Sequence, residues 1–259
     1  MIAGRYILGA SIGFGAAATV YRAWDPASNT AVAVKLFHDS ADPHALNRQR
    51  RELRAMAHLG HPGLVRIHGG GVDGGRLYVV SELVEGLTVA DRLLRAPLGE
   101  AEVRRVGAQL AGGLAHLHAR GVVHRDVKPS NILLTEDEQP DARLLDFGIA
   151  RVLGYTALTE TGCVLGTAAY LSPEQVRGEA VGPPTDVYAL GLVLIEAVTG
   201  RRVYSGTLVE SAVARLYRPP RVPDGLSAGL TGLLERMTSP VPGDRPAASE
   251  LVTLPGVAG

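Results

Sequence analysis

The stretch that most constrains this chain covers residues 124–131 and reads His-Arg-Asp-Val-Lys-Pro-Ser-Asn. It brings a carboxylate, two cations, an imidazole and an amide into one short segment. Pro129 lacks a backbone donor and biases Lys128 away from the α region, so the segment is predicted to be a loop and not a helix. A solvated turn would not need this residue order, and we interpret the segment as a catalytic loop.

A second motif lies near the amino terminus, where a glycine-rich run separates two predicted strands. Residues 6–12 and 20–24 have strand-like composition, and Gly13 and Gly15 lie between them. A pair of glycines alone is often only a turn. The next predicted strand carries Lys35 in a Val-Ala-Val-Lys context, and this order makes a phosphate-binding hairpin the better interpretation.

A third motif is the tripeptide Asp-Phe-Gly at residues 146–148, which follows an apolar pair as it would at the end of a strand. The tripeptide alone is common by chance, but its position a short distance after Asn131 makes the match a specific signal. Carboxylate and amide oxygens suit Mg²⁺, which keeps several waters and needs few protein ligands. A dinucleotide site built on Gly13 would need neither group, so that alternative is rejected.

Hydrophobic periodicity predicts several other elements. Apolar residues within 103–117 recur at three- and four-residue steps, which indicates a long helix ended by Gly121. Residues 47–59 are predicted as a shorter helix. Residues 64–67 and 76–80 are predicted to pair as strands across a glycine-containing turn.

Together these motifs resemble the catalytic domain of bacterial eukaryotic-like Ser/Thr protein kinases, over nearly the whole chain. The resemblance implies an α+β fold, the bilobal protein-kinase fold. Its N-lobe, residues 1–84, would be a small antiparallel β-sheet with one helix, called helix C in the family. Its C-lobe, residues 85–259, would be mostly α-helical, and the two would form one kinase domain over residues 6–254. A chain of 259 residues with 46% apolar residues can bury cores for two lobes.

The resemblance assigns catalytic and metal-binding roles residue by residue. Asp126 would accept or orient the proton of the attacking hydroxyl, and Lys128 would neutralise charge on the transferred phosphoryl group. Asn131 and Asp146 would hold Mg²⁺, with Mn²⁺ as an alternative. Lys35 would contact the α- and β-phosphates of ATP.

Two more residues are implied to support these groups. Glu52 of helix C would hold Lys35, and Thr167 would bond the catalytic Asp and Lys. An ion pair of this kind is worth several kcal/mol at intermediate dielectric but only about 1 kcal/mol in bulk water. The pair of Lys35 and Glu52 would therefore act as an activity switch only if it is partly buried.

The nucleotide-binding residues also follow from the resemblance. Backbone groups of Glu82 and Val84, in the hinge between the lobes, would bind adenine, behind a small gatekeeper residue, Ser81. The third glycine of the family's loop is replaced by Ala18, which leaves the closeness of the loop to the phosphates open. The other residues expected around the nucleotide are Ile12, Gly13, Phe14, Gly15, Val20, Ala33 and Leu133.

Residues 149–171 lack strong periodicity and lead into the sequence Ser-Pro-Glu, which matches the end of the family's activation segment. Thr159 and Thr161 are the predicted autophosphorylation sites. Arg125, beside the catalytic Asp, is the residue that would pair with a phosphate there.

Two charged residues are expected to have structural roles. Asp186, which opens a predicted buried helix, would brace the backbone of the catalytic loop. Arg245 would form an ion pair with Glu174 at the end of the activation segment. Because a buried charge without its partner costs several kcal/mol, both sites are predicted to be paired.

Composition limits the remaining possibilities. With 26 basic and 26 acidic residues the formal charge is zero, so we expect no nucleic-acid partner. Cys163 is the single cysteine and cannot form an internal disulfide, which is typical of a reducing compartment. The sequence has neither a signal-peptide pattern nor a membrane-spanning apolar run. We therefore expect a cytoplasmic protein, or the cytoplasmic catalytic domain of a membrane-anchored receptor kinase.

The resemblance implies a non-specific serine/threonine protein kinase. It would transfer the γ-phosphoryl group of ATP to Ser or Thr hydroxyls of protein substrates, after autophosphorylation of its activation loop in bacterial signalling. A homodimer through the N-lobe is a further implied association. Two alternatives stay open: an ATP-binding pseudokinase scaffold, disfavoured because no catalytic residue is missing, and a small-molecule phosphotransferase, which would generally lack the Ser-Pro-Glu and Asp186 elements.

Overall fold

The computed structural model describes residues 1–40, 46–136, 141–147 and 167–252 of the chain. These residues divide into two units. The amino-terminal unit comprises Met1–His61 and Val65–Glu85. The carboxy-terminal unit comprises Pro62–Leu64 and the described residues from Gly86 onward.

An antiparallel sheet with the strand order β1-β2-β3-β5-β4 forms the amino-terminal unit. Alternation along β3 buries Val32, Val34 and Leu36 on one face of the sheet, where they form a core with residues of β2 and β5. The intervening residues, Ala33 and Lys35, therefore lie on the opposite face. The strands are β1 (Ile7–Phe14), β2 (Ala18–Asp25), β3 (Thr30–Ser40), β4 (Ile67–Asp73) and β5 (Arg76–Glu82).

One helix, α1 (Leu46–Met56), packs on β4 of this sheet, and the predicted helix there is confirmed. The strand predicted at residues 64–67 is wrong, because β4 begins at Ile67 and continues through three glycines. The glycines have a steric cause. A Cβ added at Gly70 would lie 2.5 Å from the backbone oxygen of Tyr78 and 3.0 Å from Leu53 of α1. The predicted turn at residues 73–75 does connect β4 to β5.

The carboxy-terminal unit is built mainly of helices around α3 and α5. The predicted long helix is confirmed as α3, and Gly121 follows it with a φ of +70°. Helix α5 is buried along most of its length and packs against α3 and α7. The helices are α2 (Val89–Leu93), α3 (Glu100–His118), α4 (Pro173–Arg177), α5 (Pro183–Thr199), α6 (Leu208–Tyr217), α7 (Ala228–Met237) and α8 (Ala248–Leu251).

A small antiparallel sheet and three single-turn 3₁₀ helices complete this unit. The strands pair in the order β6-β7-β8, and β7 begins directly after the segment that contains residues 124–131. No helix in the described part of the chain is long and apolar enough to cross a membrane. The elements are β6 (Gly86–Thr88), β7 (Ile132–Thr135), β8 (Ala142–Leu144) and the turns Pro129–Asn131, Thr167–Tyr170 and Pro242–Asp244.

A buried ion pair joins α4 to the segment before α8. Arg245 donates to both carboxylate oxygens of Glu174, at 2.7 and 2.9 Å, and both side chains are almost fully buried. Thr185 donates to the same carboxylate at 2.7 Å. Burial alone would raise the pKa of Glu174, but the hydrogen bonds from Arg245 and Thr185 hold that pKa below its ordinary value. The charged pair is therefore the stable form in the folded protein.

Replacing Glu174 by Gln should lower the free energy of unfolding by about 3 kcal/mol at neutral pH, because the Arg245 guanidinium stays buried without its anion. Urea unfolding would measure the loss. Because the folded-state pKa of Glu174 is lowered, the stabilisation should be complete above the ordinary glutamate pKa of about 4.3 and disappear as pH falls through the folded-state value. Glu235→Gln, at an exposed residue of α7, is the control. An equal, small loss in both variants would contradict the prediction.

Candidate functional site

The loop at residues 124–131 is tied to α5 by one buried carboxylate. Asp186 accepts hydrogen bonds from the backbone nitrogens of His124 and Arg125, each at 2.8 Å. The Nε2 atom of His118 lies 2.8 Å from the same carboxylate. Because the loop is irregular, it has no ladder to satisfy these backbone groups, and Asp186 does so instead.

Two non-glycine residues near the loop have left-handed backbone conformations. Arg125 has a φ of +68° and Asp146 a φ of +59°. Such conformations cost on the order of 1–3 kcal/mol and persist where surrounding contacts determine them, often at functional sites. At Arg125 the contact is the hydrogen bond from its backbone nitrogen to Asp186. The strain therefore falls on the residue directly before Asp126.

Asp126 has one carboxylate oxygen oriented by two donors. Its Oδ2 atom accepts from the Lys128 ammonium at 2.8 Å and from the Asn131 amide nitrogen at 2.9 Å. Its Oδ1 atom is buried and has no hydrogen-bond partner among the described residues. A buried acceptor without a donor is costly, and such groups mark places where a ligand or water completes the site. The Oδ1 atom of Asp126 is thus arranged to accept a hydrogen bond, and then a proton, from a hydroxyl group.

Asn131 lies directly before β7, and Asp146 lies two residues after β8. The backbone nitrogen of Leu145 donates to the Asn131 carbonyl at 2.9 Å, so Asp146 comes one residue after a direct link to Asn131. The Asn131 amide nitrogen is used on Asp126, which leaves its Oδ1 as the atom suited to a hard cation. No group of three or more His, Cys, Asp or Glu able to hold a metal occurs among the described residues. The pair fits Mg²⁺, which takes most of its ligands from water and phosphate.

Four of the nucleotide residues predicted in the amino-terminal unit, Val20, Ala33, Lys35 and Ser81, share one face of its sheet. Val20 is the cross-strand partner of Lys35, and Ala33 is the partner of Ser81. Cross-strand partners point to the same face, and this face lies opposite the core of Val32, Val34 and Leu36. The Lys35 ammonium lies 5.5 Å from the centre of the Phe37 ring.

The other predicted residues of this unit lie in β1, at or just after the end of β5, and on α1. Ile12 and Phe14 in β1 are exposed, at 51% and 85%, so neither belongs to the unit's core. Glu82 ends β5, and Val84 follows it, with both residues half-buried. Glu52 is half-buried on α1. Leu133, which belongs to the carboxy-terminal unit, is buried in β7.

His38 was not predicted to have a role, yet its backbone and ring hold the glycine-rich hairpin in place. Its backbone nitrogen donates to the Ala17 carbonyl at 2.9 Å, and its ring nitrogens lie 3.0 Å from the Ala16 carbonyl and 2.9 Å from the Thr19 hydroxyl. Its ring lies against Phe14, with centroids 5.6 Å apart. A neutral imidazole with its proton on Nδ1 satisfies both ring contacts. A single histidine at a strand end carries no sequence signal for this role.

The glycines of the hairpin are not required by the fold. A Cβ at Gly13 would meet Val20 at an ordinary 3.6 Å, and one at Gly15 would meet the Ala18 carbonyl at 3.6 Å. Neither residue has a positive φ. A Cβ would therefore fit at either residue without a clash, so the fold does not explain these glycines, whereas close approach of a ligand to the backbone, as in a phosphate-binding loop, would explain them.

The predicted phosphorylation sites, Thr159 and Thr161, lie outside the described residues, as does the side chain of Thr167. Asp186, Glu174 and Arg245 make the contacts given above. The functional roles assigned to all these residues stay predictions.

The family model of the protein kinase domain matches residues 6–255 of this chain. The chain therefore belongs to the protein kinase family, and the family and fold class predicted from its motifs are confirmed. Members of this family use ATP and a divalent metal ion.

The relatives are bacterial. Serine/threonine-protein kinase PknL of Mycobacterium tuberculosis is 39% identical over 252 residues, which cover 93% of this chain and 62% of PknL. Serine/threonine-protein kinase PrkC of Bacillus subtilis is 40% identical over 216 residues, which cover 82% of this chain and 33% of PrkC. The crystal structure of the Mycobacterium tuberculosis PknI kinase domain superposes with a TM-score of 0.77 at 27% identity, covering 97% of this chain and 95% of that one. The chain thus spans only part of its curated relatives.

Gly13→Ala should leave the free energy of unfolding unchanged within about 0.5 kcal/mol, because its Cβ meets no close neighbour. Gly86→Ala is the matched comparison. Gly86 has a φ of +158°, and a Cβ there would lie 2.0 Å from the Leu134 carbonyl, so the variant should lose at least about 2 kcal/mol. Urea unfolding of both variants checks this. A large loss for Gly13→Ala would show that the hairpin itself needs the glycine.

Proposed function

We propose that this chain is a serine/threonine protein kinase that transfers the γ-phosphoryl group of ATP to Ser or Thr hydroxyls of protein substrates. The observation that carries the proposal is the Asp126 carboxylate. One of its oxygens is oriented by Lys128 and Asn131, and the other is buried and has no donor among the described residues. The three residues belong to the loop whose sequence matches the family's catalytic loop.

In the proposed reaction the substrate hydroxyl donates its hydrogen bond to Oδ1 of Asp126. The hydroxyl oxygen forms a bond to the γ-phosphorus while the bond from that phosphorus to the bridging oxygen breaks. The hydroxyl proton passes to Asp126, and ADP is the leaving group. Lys128, 2.8 Å from the other carboxylate oxygen, supplies positive charge beside the reacting groups. Positioning and charge neutralisation supply most of the rate acceleration in such reactions.

Asn131 and Asp146 are the residues proposed to hold Mg²⁺, with Mn²⁺ as the alternative. The metal ion would supply charge neutralisation at the phosphates. Lys35 is proposed to bind the α- and β-phosphates, with Glu52 as its partner. The face of the sheet that carries Val20, Ala33 and Ser81 supports this assignment, because it also carries Lys35 and lies opposite the core of Val32, Val34 and Leu36.

The alternative of a pseudokinase scaffold is not favoured by the structure of the loop. A scaffold would have no need of a strained Arg125 or of an Asp126 oxygen kept buried without a donor. A small-molecule phosphotransferase is disfavoured by the Glu174–Arg245 pair, which belongs to the Ser-Pro-Glu element.

Four further features are proposed on the family resemblance. The chain acts on protein substrates, and it forms a homodimer through its amino-terminal unit. It works in the cytoplasm, a location that agrees with its single cysteine. Phosphate on Thr159 and Thr161 would activate it by pairing with Arg125, the residue next to Asp126.

Asp126→Asn should lower kcat for transfer of radiolabelled phosphate to myelin basic protein by about two to four orders of magnitude, because the proton acceptor is lost. Thermal unfolding should show a folded protein. Asp224→Asn, at a side chain that is 95% exposed, is the control and should keep the wild-type rate. Equal rates for Asp126→Asn and wild type would refute the kinase mechanism. Absence of any labelled protein, with wild type and variant alike, would favour the scaffold.

Incubation of the purified chain with ATP and Mg²⁺ should place phosphate on Thr159 and Thr161, and phosphopeptide mass spectrometry would locate it. Asp126→Asn, treated in the same way, should carry none. Phosphate found only on other residues would contradict the assignment of these two sites.

A further inference from the structure

Arg215 is a buried cation whose hydrogen bonds to other described residues all go to backbone carbonyls. It lies in α6 and is 3% exposed. Its guanidinium donates to the carbonyls of Ser211 and Ala212 in its own helix, at 2.6 and 3.1 Å. It also donates to the carbonyl of Ala168, at 2.7 Å, and to that of Leu171. No carboxylate lies within ion-pair distance of it in the part of the chain that the structure describes.

This arrangement differs from that of the other buried arginine in this region. Arg245 is neutralised by Glu174, whereas the hydrogen bonds of Arg215 to described residues go to neutral backbone carbonyls. Burial lowers the pKa of Arg215, against the effect of the nearby tyrosines. A buried charge without an opposite charge is expensive, and an apolar side chain would fill the same space at lower cost. An apolar residue, however, could not donate the hydrogen bonds that Arg215 makes to the carbonyls of Ala168 and Leu171.

The two distant carbonyls belong to the segment that leads from Thr167 to the start of α4. Ala168 and Leu171 also pack against Ala212 of α6, so hydrogen bonds and apolar contacts join the segment to the helix at the same place. Charge-assisted hydrogen bonds are stronger than neutral ones and fix geometry more tightly. Arg215 thus sets the backbone of residues 168–171.

This segment lies beside the catalytic loop. A small cavity is lined by Asp126 together with Tyr170 and Leu171. The Tyr170 hydroxyl donates to Glu196 of α5 at 2.6 Å, and Tyr170 also lines a cavity of about 440 Å³ that reaches Lys128. The residues that Arg215 holds therefore form part of the wall next to the two catalytic side chains.

The orientation of the guanidinium is itself fixed. Its central carbon lies 4.7 Å from the centre of the Tyr204 ring. The Tyr204 hydroxyl donates to the Arg218 carbonyl at 3.0 Å, which holds that ring in place. A lysine at 215 would keep the charge but could not reach carbonyls on both sides with a planar fork of donors.

We propose that Arg215 is a positioning residue for the protein substrate. By holding the carbonyls of Ala168 and Leu171 it keeps the segment at residues 168–171 in the conformation that a substrate chain meets beside Asp126. The proposal rests on the proposed kinase function. It assigns to α6 a part in substrate binding that is separate from nucleotide binding.

The test compares Arg215→Lys and Arg215→Met with Arg221→Met, whose parent side chain is 88% exposed. Hydrogen–deuterium exchange of peptides covering residues 167–172 and α5 reports on the segment without requiring activity. Steady-state kinetics with myelin basic protein and ATP report on substrate binding. For Arg215→Met we expect about tenfold faster exchange at 168–171 and about a tenfold higher KM for the protein substrate. The KM for ATP should change less than about twofold.

Arg215→Lys should recover part of the KM effect, and Arg221→Met should match wild type in both measurements. Unchanged exchange at residues 168–171 would overturn the role of Arg215 whether or not the chain is active. Faster exchange that extends equally through α5, or a parallel rise in the KM for ATP, would show a general structural effect and would also overturn it. An inactive wild-type chain would instead refute the kinase function, and with it the substrate role.

Discussion

The site in the carboxy-terminal unit depends on the buried carboxylate of Asp186. Two backbone nitrogens of the catalytic loop and the ring of His118 all reach this one group. Without it the loop would leave buried donors unsatisfied and would have little reason to keep Arg125 in a left-handed conformation. The position of Asp126 follows directly, because it is the next residue. Asp186 can act in this way because it lies on α5, which is buried along most of its length.

The same solution occurs at two stretches of irregular backbone near the site. Asp186 satisfies backbone nitrogens of the catalytic loop, and Arg215 satisfies backbone carbonyls of residues 168–171. Each charged side chain comes from a regular helix, where its own backbone is already bonded. Loops cannot pair their own polar groups as strands and helices do, so buried loops need donors and acceptors from elsewhere. Helices α5 and α6 supply them here, one with a negative charge and one with a positive charge.

Motifs and periodicity predicted the elements that local sequence determines. The long helix α3 and the strand that carries Lys35 follow from spacing, and the loop at residues 124–131 follows from Pro129. The predicted start of β4 was wrong because Gly69–Gly71 lacks strand-forming side chains, and only the close approach of β5 explains a strand there. His38 and Arg215 could not be found at all. Their partners are distant in sequence or are backbone atoms, and backbone atoms are the same in every residue, so no sequence pattern indicates these contacts.

The glycines separate what the fold needs from what a ligand needs. Gly70 and Gly86 are required by close backbone contacts, since a Cβ would lie 2.5 and 2.0 Å from a carbonyl oxygen. Gly13 and Gly15 meet no such contact, although they lie in a strand hairpin where larger residues are normally favoured. Gly13 is the cross-strand partner of Val20, and Val20 is the partner of Lys35. A glycine that the fold does not need, two strands from a lysine on the same face, is best explained by a molecule that approaches the backbone closely.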